Sequence, residues 1–273
     1  MKINYGLIVS DFDGTLIDDN QRILPEVRYA IEKYVAAGGI FAVCTGRMLS
    51  SILPQVRALG LKGLVIAYQG TVIADIESGK IIKSGGMNSS DVAEICNTIQ
   101  DMGYGLNVYC DENIYTDYSD DNKFLKKYEE IIGVTAVHID GKMSELIIKN
   151  NMFCQKVLTI VSESEREGFY YRLNKRLGDR FDVTCSATVL VEVSPLGDNK
   201  GEALKFLAEH YNIPIEKTVA VGDNLNDLPM IKVAGVGCAV GNAAKQLKEA
   251  ADFISVSNNE GALAQIVKKF GFA

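Results

Sequence analysis

Two carboxylates separated by one residue open the chain's chemistry, in the stretch Asp11-Phe12-Asp13-Gly14-Thr15-Leu16. An apolar run, Leu7-Ile8-Val9, precedes them and reads as a buried strand. Side chains two apart on a strand point the same way, so Asp11 and Asp13 are expected to converge at its end while Phe12 turns to the core. Gly14 permits a sharp turn without a Cβ clash. Two carboxylates at one point repel unless a cation lies between them, which points to magnesium-assisted phosphoryl transfer. Three further polar groups follow apolar runs or open a helix. They are Thr45-Gly46-Arg47, Lys200-Gly201, and Gly222-Asp223-Asn224-Leu225-Asn226-Asp227.

The elements that must position these residues alternate at both ends of the chain. Pro25 to Ala37 reads as a helix, with Pro in its first turn and Gly38-Gly39 after its last. Ile40 to Cys44 is a second strand that runs into Thr45. A strand–helix–strand unit of this length is right-handed with parallel strands, which carries Thr45 to the same edge as Asp11. Ser50 to Leu59 is a helix and Leu64 to Ala67 a third strand; Thr71 to Ala74 and Lys80 to Lys83 read as a hairpin. Lys200 to Tyr211 is a helix, and Thr218 to Val221 is a strand that ends at Gly222-Asp223. Short strands at Val236 to Val240 and Phe253-Ile254, a helix near Ala243 to Ala250 and a closing helix from Glu260 to Phe270 complete that half. In open parallel sheets ligands bind beyond the C-terminal strand ends, where Asp11, Asp13, Thr45 and Asp223 all fall.

Between these halves the alternation breaks. Asp91 to Met102 is an amphipathic helix, with Asp91 and Glu94 spaced as a capping pair. Strands are expected at Gly105 to Tyr109, Ile114 to Thr116, Val157 to Val161, Phe181 to Thr184 and Val189 to Val193. Helices are expected at Asn122 to Ile132 and Glu165 to Leu177, while Met143 to Lys149 fits helix or strand. The stretch is far too long for a crossover and reads as an inserted α+β domain. The expected boundaries are residues 1–86 and 192–273 for a discontinuous α/β core and 87–191 for the insertion.

The four motifs DFDGTL, TGR, KG and GDNLND, in this order and at these separations, resemble the haloacid dehalogenase superfamily over essentially the whole chain. Within it the chain is similar to the Cof-like phosphatase branch with a type IIB α+β cap. The resemblance implies a doubly wound, Rossmann-like parallel-sheet core with an inserted cap that chooses the substrate. It implies hydrolysis of a small phosphomonoester, such as a sugar phosphate or a phosphorylated cofactor, through an aspartyl-phosphate. Asp11 is then the nucleophile and Asp13 the acid/base. Magnesium would be held by Asp11, Asp13 (through its backbone carbonyl) and Asp223, with Asp227 as ligand or support. Thr45, Gly46, Lys200 and Asn226 would bind phosphate, Lys200 also supporting Asp11 as a carboxylate ionised at neutral pH. Arg47 is a candidate substrate contact. Two positions depart from the family's habit: Tyr68-Gln69-Gly70 stands where Asn-Gly is common, and Met48 where Pro is common. Two alternatives share this chemistry: a phosphomutase using the same intermediate, and a non-catalytic module that responds to phosphorylation or binds a ligand.

Composition narrows the field further. The chain has 273 residues, 47% hydrophobic and 23% charged, with a formal net charge of −7 and scattered Lys and Arg. That argues against a nucleic-acid groove while leaving room for a local anion site. No apolar run reaches the length of a membrane span, and the first residues lack a signal-peptide core. The six cysteines lack Cys-x-x-Cys spacing and are expected reduced and packed, in a cytoplasmic protein. Two histidines leave little for a multi-histidine metal site. Glu77-Ser78-Gly79-Lys80 lacks the earlier Gly and the following Ser/Thr of a P-loop.

Overall fold

The computed structural model describes residues 2–119 and 121–273, so Met1, the first residue of the expected core, lies outside the described residues. In chain order the elements begin with β1 (Leu7–Ser10), α1 (Pro25–Ala36), β2 (Ile40–Val43), α2 (Leu49–Ala58), β3 (Leu64–Ala67), β4 (Val72–Asp75) and β5 (Ile81–Ser84). Then come α3 (Ser89–Asp101), β6 (Asn107–Cys110), β7 (Asn113–Thr116), α4 (Lys123–Ile132), β8 (Val137–His138), α5 (Met143–Lys149), β9 (Cys154–Ile160), α6 (Glu163–Leu177), β10 (Phe181–Ala187) and β11 (Leu190–Pro195). The last group is α7 (Lys200–His210), β12 (Thr218–Gly222), α8 (Leu228–Val233), β13 (Val236–Ala239), α9 (Lys245–Ala250), β14 (Phe253–Ile254) and α10 (Ala262–Phe270).

Two compact units emerge. The first comprises residues 1–46, 52–82 and 199–273; the second comprises 47–51 and 83–198. The divisions fall at 82/83 and 198/199, where the sequence pattern suggested 86/87 and 191/192. The later return has a physical cause: β11 runs on to Pro195 while paired with β10, so residues 192–195 belong to the second unit's sheet.

In the first unit a five-stranded sheet of order β14-β13-β12-β1-β2 is parallel throughout. The interior strand β1 reads Leu-Ile-Val-Ser because both faces are covered, and all four residues are buried. β1 lies between β12 and β2 in register, Ser10 facing both Val221 and Val43. That register carries Asp11, Cys44 and Gly222 past the same edge together. β3, expected as a third strand, joins β4 and β5 in a separate three-stranded sheet, pairing antiparallel with β4. One parallel bridge, Cys44 to Ile66, ties it beside β2. Helix α1 packs on α10, and α7 on α8.

The second unit is a six-stranded sheet of order β10-β11-β9-β6-β7-β8, antiparallel except for β7–β8. An apolar cluster joins one face to α3, α5 and α6, including Ile95, Ile99, Met143, Ile147, Phe169, Leu173, Val157 and Val193. The ambiguous Met143–Lys149 is helical because Met143 and Ile147, one turn apart, both enter this cluster. The expected Asp91–Glu94 cap is not formed. Asn88 caps α3 by accepting from the Asp91 N–H at 3.0 Å, and Arg180 pairs with both acids, at 2.7 Å to Asp91 and 2.6 Å to Glu94. All six cysteines are buried free thiols. Among the described residues no helix is long and apolar enough to cross a membrane.

Candidate active site

The residues at the sheet's C-terminal edge are fixed first by the backbone. The Asp11 N–H donates to the Val221 carbonyl at 2.8 Å, extending β1–β12 pairing by one residue. The chain then turns over residues 12–16, closed by the Ile17 N–H donating to the Phe12 carbonyl at 3.1 Å. Gly14 has φ 74°, and a Cβ there would lie 2.8 Å from Asp223 Oδ2. The turn therefore needs Gly twice: for its left-handed backbone and for close approach to Asp223. Thr15 Oγ1 donates to Asp223 Oδ1 at 2.9 Å, and Asn242 Nδ2 donates to the Gly14 carbonyl at 2.8 Å.

Lys200 opens α7, where a lysine is ordinarily exposed. Here it is wholly buried. Asn199 fixes the helix start by accepting from the Gly201 and Glu202 N–H groups at 3.0 and 3.1 Å. The ammonium donates to Asp11 Oδ1 at 2.5 Å and to Asp227 Oδ1 at 2.6 Å. The other Asp227 oxygen accepts from the Asp223 and Asn224 N–H groups at 2.9 and 3.0 Å. Asp227 is thus fully engaged by protein donors and wholly buried.

One oxygen from each of Asp11, Asp223 and Asp227 lies within 4.8 Å of the others. Three carboxylates share one buried ammonium, and the charge imbalance shows in their proton affinities. Burial, opposed by Lys200 and reinforced by Asp227, Asp223 and Asp13, holds the Asp11 carboxyl well above the usual carboxylate range. Burial and then Asp227 push Asp223 up to about 7. Burial works against the Lys200 charge, but Asp11 and Asp227 outweigh it and raise its proton affinity. Asp11 is therefore not the ordinary ionised carboxylate that its residue type suggests. An all-oxygen donor set carrying excess negative charge fits a hard divalent cation such as magnesium. The Asp13 side chain is not part of this convergent set.

The Thr45–Gly46 turn is tied down from the β3 side. The Thr45 N–H donates to the Ile66 carbonyl at 3.0 Å, and the Thr45 carbonyl accepts from the Gln69 N–H at 2.9 Å. Gln69 is the residue that the motif pattern did not single out as functional. It has φ 61° and follows Tyr68 at φ 50°, a left-handed pair without glycine. This conformation lays its carboxamide on the turn: a Cβ at Gly46 would lie 2.4 Å from Gln69 Nε2. Gln69 Oε1 accepts from Asn226 Nδ2 at 3.0 Å, while the buried Asn226 Oδ1 has no partner. Thr15 was also missed as a separate contributor, though it lies inside the first motif. Arg47, the candidate substrate contact, directly follows this turn and is buried at 6% exposure.

Comparison with known proteins agrees with the geometry. The family model for haloacid dehalogenase-like hydrolases matches residues 8–267. The chain is 27% identical to the putative phosphatase YxeH of Bacillus subtilis, over 98% of this chain and 99% of that protein. It is 28% identical to the HMP-PP phosphatase of Serratia proteamaculans, over 89% and 86%. Among solved structures, a haloacid dehalogenase-like hydrolase from B. subtilis superposes with a TM-score of 0.86 at 28% identity, over 96% of this chain and 99% of that one. A Thermotoga maritima protein, TM0651, does so with a TM-score of 0.77 at 30% identity, over 97% of each.

Proposed function

The chain belongs to the haloacid dehalogenase-like hydrolases, a phosphatase among phosphatases, and on that premise we propose that it hydrolyses a small phosphomonoester through an aspartyl-phosphate on Asp11. The observation that carries this reading is the Lys200 ammonium held between Asp11 and Asp227, at 2.5 and 2.6 Å, beside three convergent carboxylates. A lysine so buried and so paired is costly unless its charge is used.

In this reading Asp11 attacks phosphorus in line with the ester oxygen. The new Oδ–P bond forms as the P–O bond to the leaving group breaks, and Asp13 protonates the departing alkoxide. Asp13, now a carboxylate, takes a proton from water; the resulting hydroxide attacks phosphorus and releases Asp11 and inorganic phosphate. Lys200 holds charge next to the attacking oxygen and donates to the phosphoryl group as it passes. The backbone N–H groups of Thr45 and Gly46 lie in the turn fastened by Gln69. Thr45 supplies its hydroxyl and Gly46 its amide to phosphate oxygens, and Asn226 orients them. Magnesium would be held by Asp11, Asp223 and the Asp13 carbonyl. When bound it would let one anion approach another and keep Asp11 ionised despite its burial. Asp227 acts as a positioning residue, since both of its oxygens are already occupied.

Relatives act on varied esters: one is named for HMP-PP, another from B. subtilis for 5-amino-6-(5-phospho-D-ribitylamino)uracil. Phosphate release from a panel of metabolite phosphates, with magnesium and with chelator, tests the proposal. Asp11→Asn should lower phosphate release by about a thousandfold or more, as loss of a nucleophile does. Undiminished release by that variant would remove Asp11 from the mechanism, and an isomeric phosphosugar in place of free phosphate would make the enzyme a mutase.

A further inference from the structure

The turn that carries the two motif aspartates is not held by its own residues alone. Asp13 at φ −77°, ψ 125° and Gly14 at φ 74°, ψ 0° have the dihedral angles of a type II turn. Type I and type II turns differ by a flip of the peptide between their two central residues. Here that is the Asp13–Gly14 peptide, and the flip reverses the direction of the Asp13 carbonyl. Glycine takes either sign of φ about as readily, so Gly14 permits the flipped peptide without enforcing it.

The hold comes from the connection between β13 and α9. Asn242 lies there, and its Nδ2 donates to the Gly14 carbonyl at 2.8 Å. Its Oδ1 accepts from the Asn258 N–H at 3.0 Å, which settles which way round the carboxamide sits. Asn258 Nδ2 donates to the Ile17 carbonyl at 3.0 Å, so two asparagines bracket the turn at Gly14 and at Ile17. The same connection reaches the other side of the site. The Ala244 N–H donates to the Asp223 carbonyl at 2.8 Å, and the Val240 N–H to the Gly222 carbonyl at 3.2 Å. The connection is anchored in turn by the Gly241 N–H, which donates to the Val256 carbonyl at 2.7 Å. Residues 240–244 therefore tie the backbone of Asp223 to that of Gly14.

Stability does not explain this arrangement. Asn242 is exposed, and water would serve the Gly14 carbonyl nearly as well, so the bond adds about 1 kcal/mol. Asn258 is buried at 4% exposure while its Oδ1 has no hydrogen-bond partner, which costs stability. What the two side chains supply is direction. We infer that Asn242, backed by Asn258, is a positioning residue. It locks the Asp13–Gly14 peptide in its flipped orientation and so aims Asp13, carbonyl and side chain, for its part in hydrolysis. The inference rests on the phosphatase reading, in which the Asp13 carbonyl serves magnesium and the Asp13 carboxyl serves the leaving group.

Two variants separate this role from a structural one. Asn242→Ala removes both bonds of the side chain. Asn242→Asp keeps an acceptor for the Asn258 N–H and puts an oxygen where the donor to Gly14 was. Both should lower kcat about tenfold, with KM for the ester within about twofold, and weaken magnesium binding about tenfold by titration calorimetry. The added carboxylate of Asn242→Asp would by its charge alone tighten a cation, so weaker binding in that variant comes from the turn. The metal-free Tm of Asn242→Ala should stay within about 4 °C of the parent's; a larger fall makes the role structural and overturns the inference. Parent-like kcat and magnesium affinity in both variants overturn it too, and leave the phosphatase reading intact. So does a loss confined to Asn242→Ala, which would place the role in the contact to Asn258. If the parent releases phosphate from no ester, the phosphatase reading falls and the magnesium titration decides. Binding weakened in both variants then supports the brace, and unchanged or absent binding refutes it.

Discussion

Raising the pH on metal-free protein should destabilise it, against the usual expectation for an acidic chain near neutrality. Asp223 titrates near its ordinary value of 3.8 when unfolded and at about 7 when folded. Between those values the folded state keeps a proton that the unfolded chain has lost. Stability therefore falls as pH rises through this window, being fully present below the unfolded pKa and lost by the folded one. The difference, 7 − 3.8 = 3.2 units, corresponds to about 4 kcal/mol at most, at about 1.36 kcal/mol per unit. Asp11 is displaced in the same direction and adds to the loss. Lys200 is raised above 10.5 and contributes no slope here. Asp18 and Asp75 are held low by hydrogen bonds from Arg22 and Ser78, so their contributions are complete below the window. Only about 7 − 5 = 2 of the Asp223 units fall above pH 5, about 2.7 kcal/mol, so at about 2–4 °C per kcal/mol for a chain of this size Tm should fall by about 5–11 °C between about pH 5 and about pH 8. A divalent cation makes the ionised form the favoured one, so the rise in Tm on adding magnesium should be small at the acid end and largest at the alkaline end. Scanning calorimetry in chelator and in magnesium across this range reads both trends. A metal-free Tm that stays flat or rises, or a magnesium shift independent of pH, would refute the charge accounting for the cluster.

Asp227→Asn keeps the shape but takes away the charge facing Lys200. Breaking a buried pair of this kind costs about 3–5 kcal/mol, so Tm should drop by roughly 10 °C; a drop below about 2 °C would show that Lys200 does not depend on Asp227. Gln69→Asn relieves about 1 kcal/mol of left-handed strain, since Asn tolerates that region. It also forfeits a hydrogen bond to Asn226 of about the same worth, so stability should hardly change. Phosphate release should nevertheless fall severalfold, and unchanged release would mean that Asn226 is positioned by something other than Gln69.

The sequence was readable where one residue type had one physical use. Asp11, Thr45 and Asp223 each follow a short apolar strand, and parallel register does the rest, so their convergence could be inferred from strand order alone. Helix starts at Pro25 and Lys200 and the strand at Phe253-Ile254 were legible for similar local reasons. What escaped depended on partners distant in sequence. Lys156 looks like the solvent-facing residue of a strand until Glu192 is known to lie one strand away. Gln69 carries no glycine or asparagine signal for its left-handed backbone, which the packing of Thr45, Gly46 and Asn226 imposes. Asn88 caps α3 and also donates to the Asp91 carboxylate, while Arg180, distant in sequence, pairs with both Asp91 and Glu94. Helix α8 is only six residues long with Pro229 in its first turn, too short for a period to declare itself.

The pairing of β1 with β12 has a consequence for how the enzyme is made. Thr15 and Asp223, joined by one hydrogen bond, are 208 residues apart in the chain. At about 5–20 residues per second, a ribosome that has released Asp11 takes roughly 10–40 s to deliver the groups it works with. During that interval β1 has β2 on one side and no β12 on the other, while all of the inserted unit is synthesised and free to fold. A chain broken off just before Lys200 contains Asp11 but neither the Lys200 ammonium that pairs with it nor Asp223 and Asp227. The enzyme therefore becomes competent late and all at once, when its final quarter threads back beside its first strand.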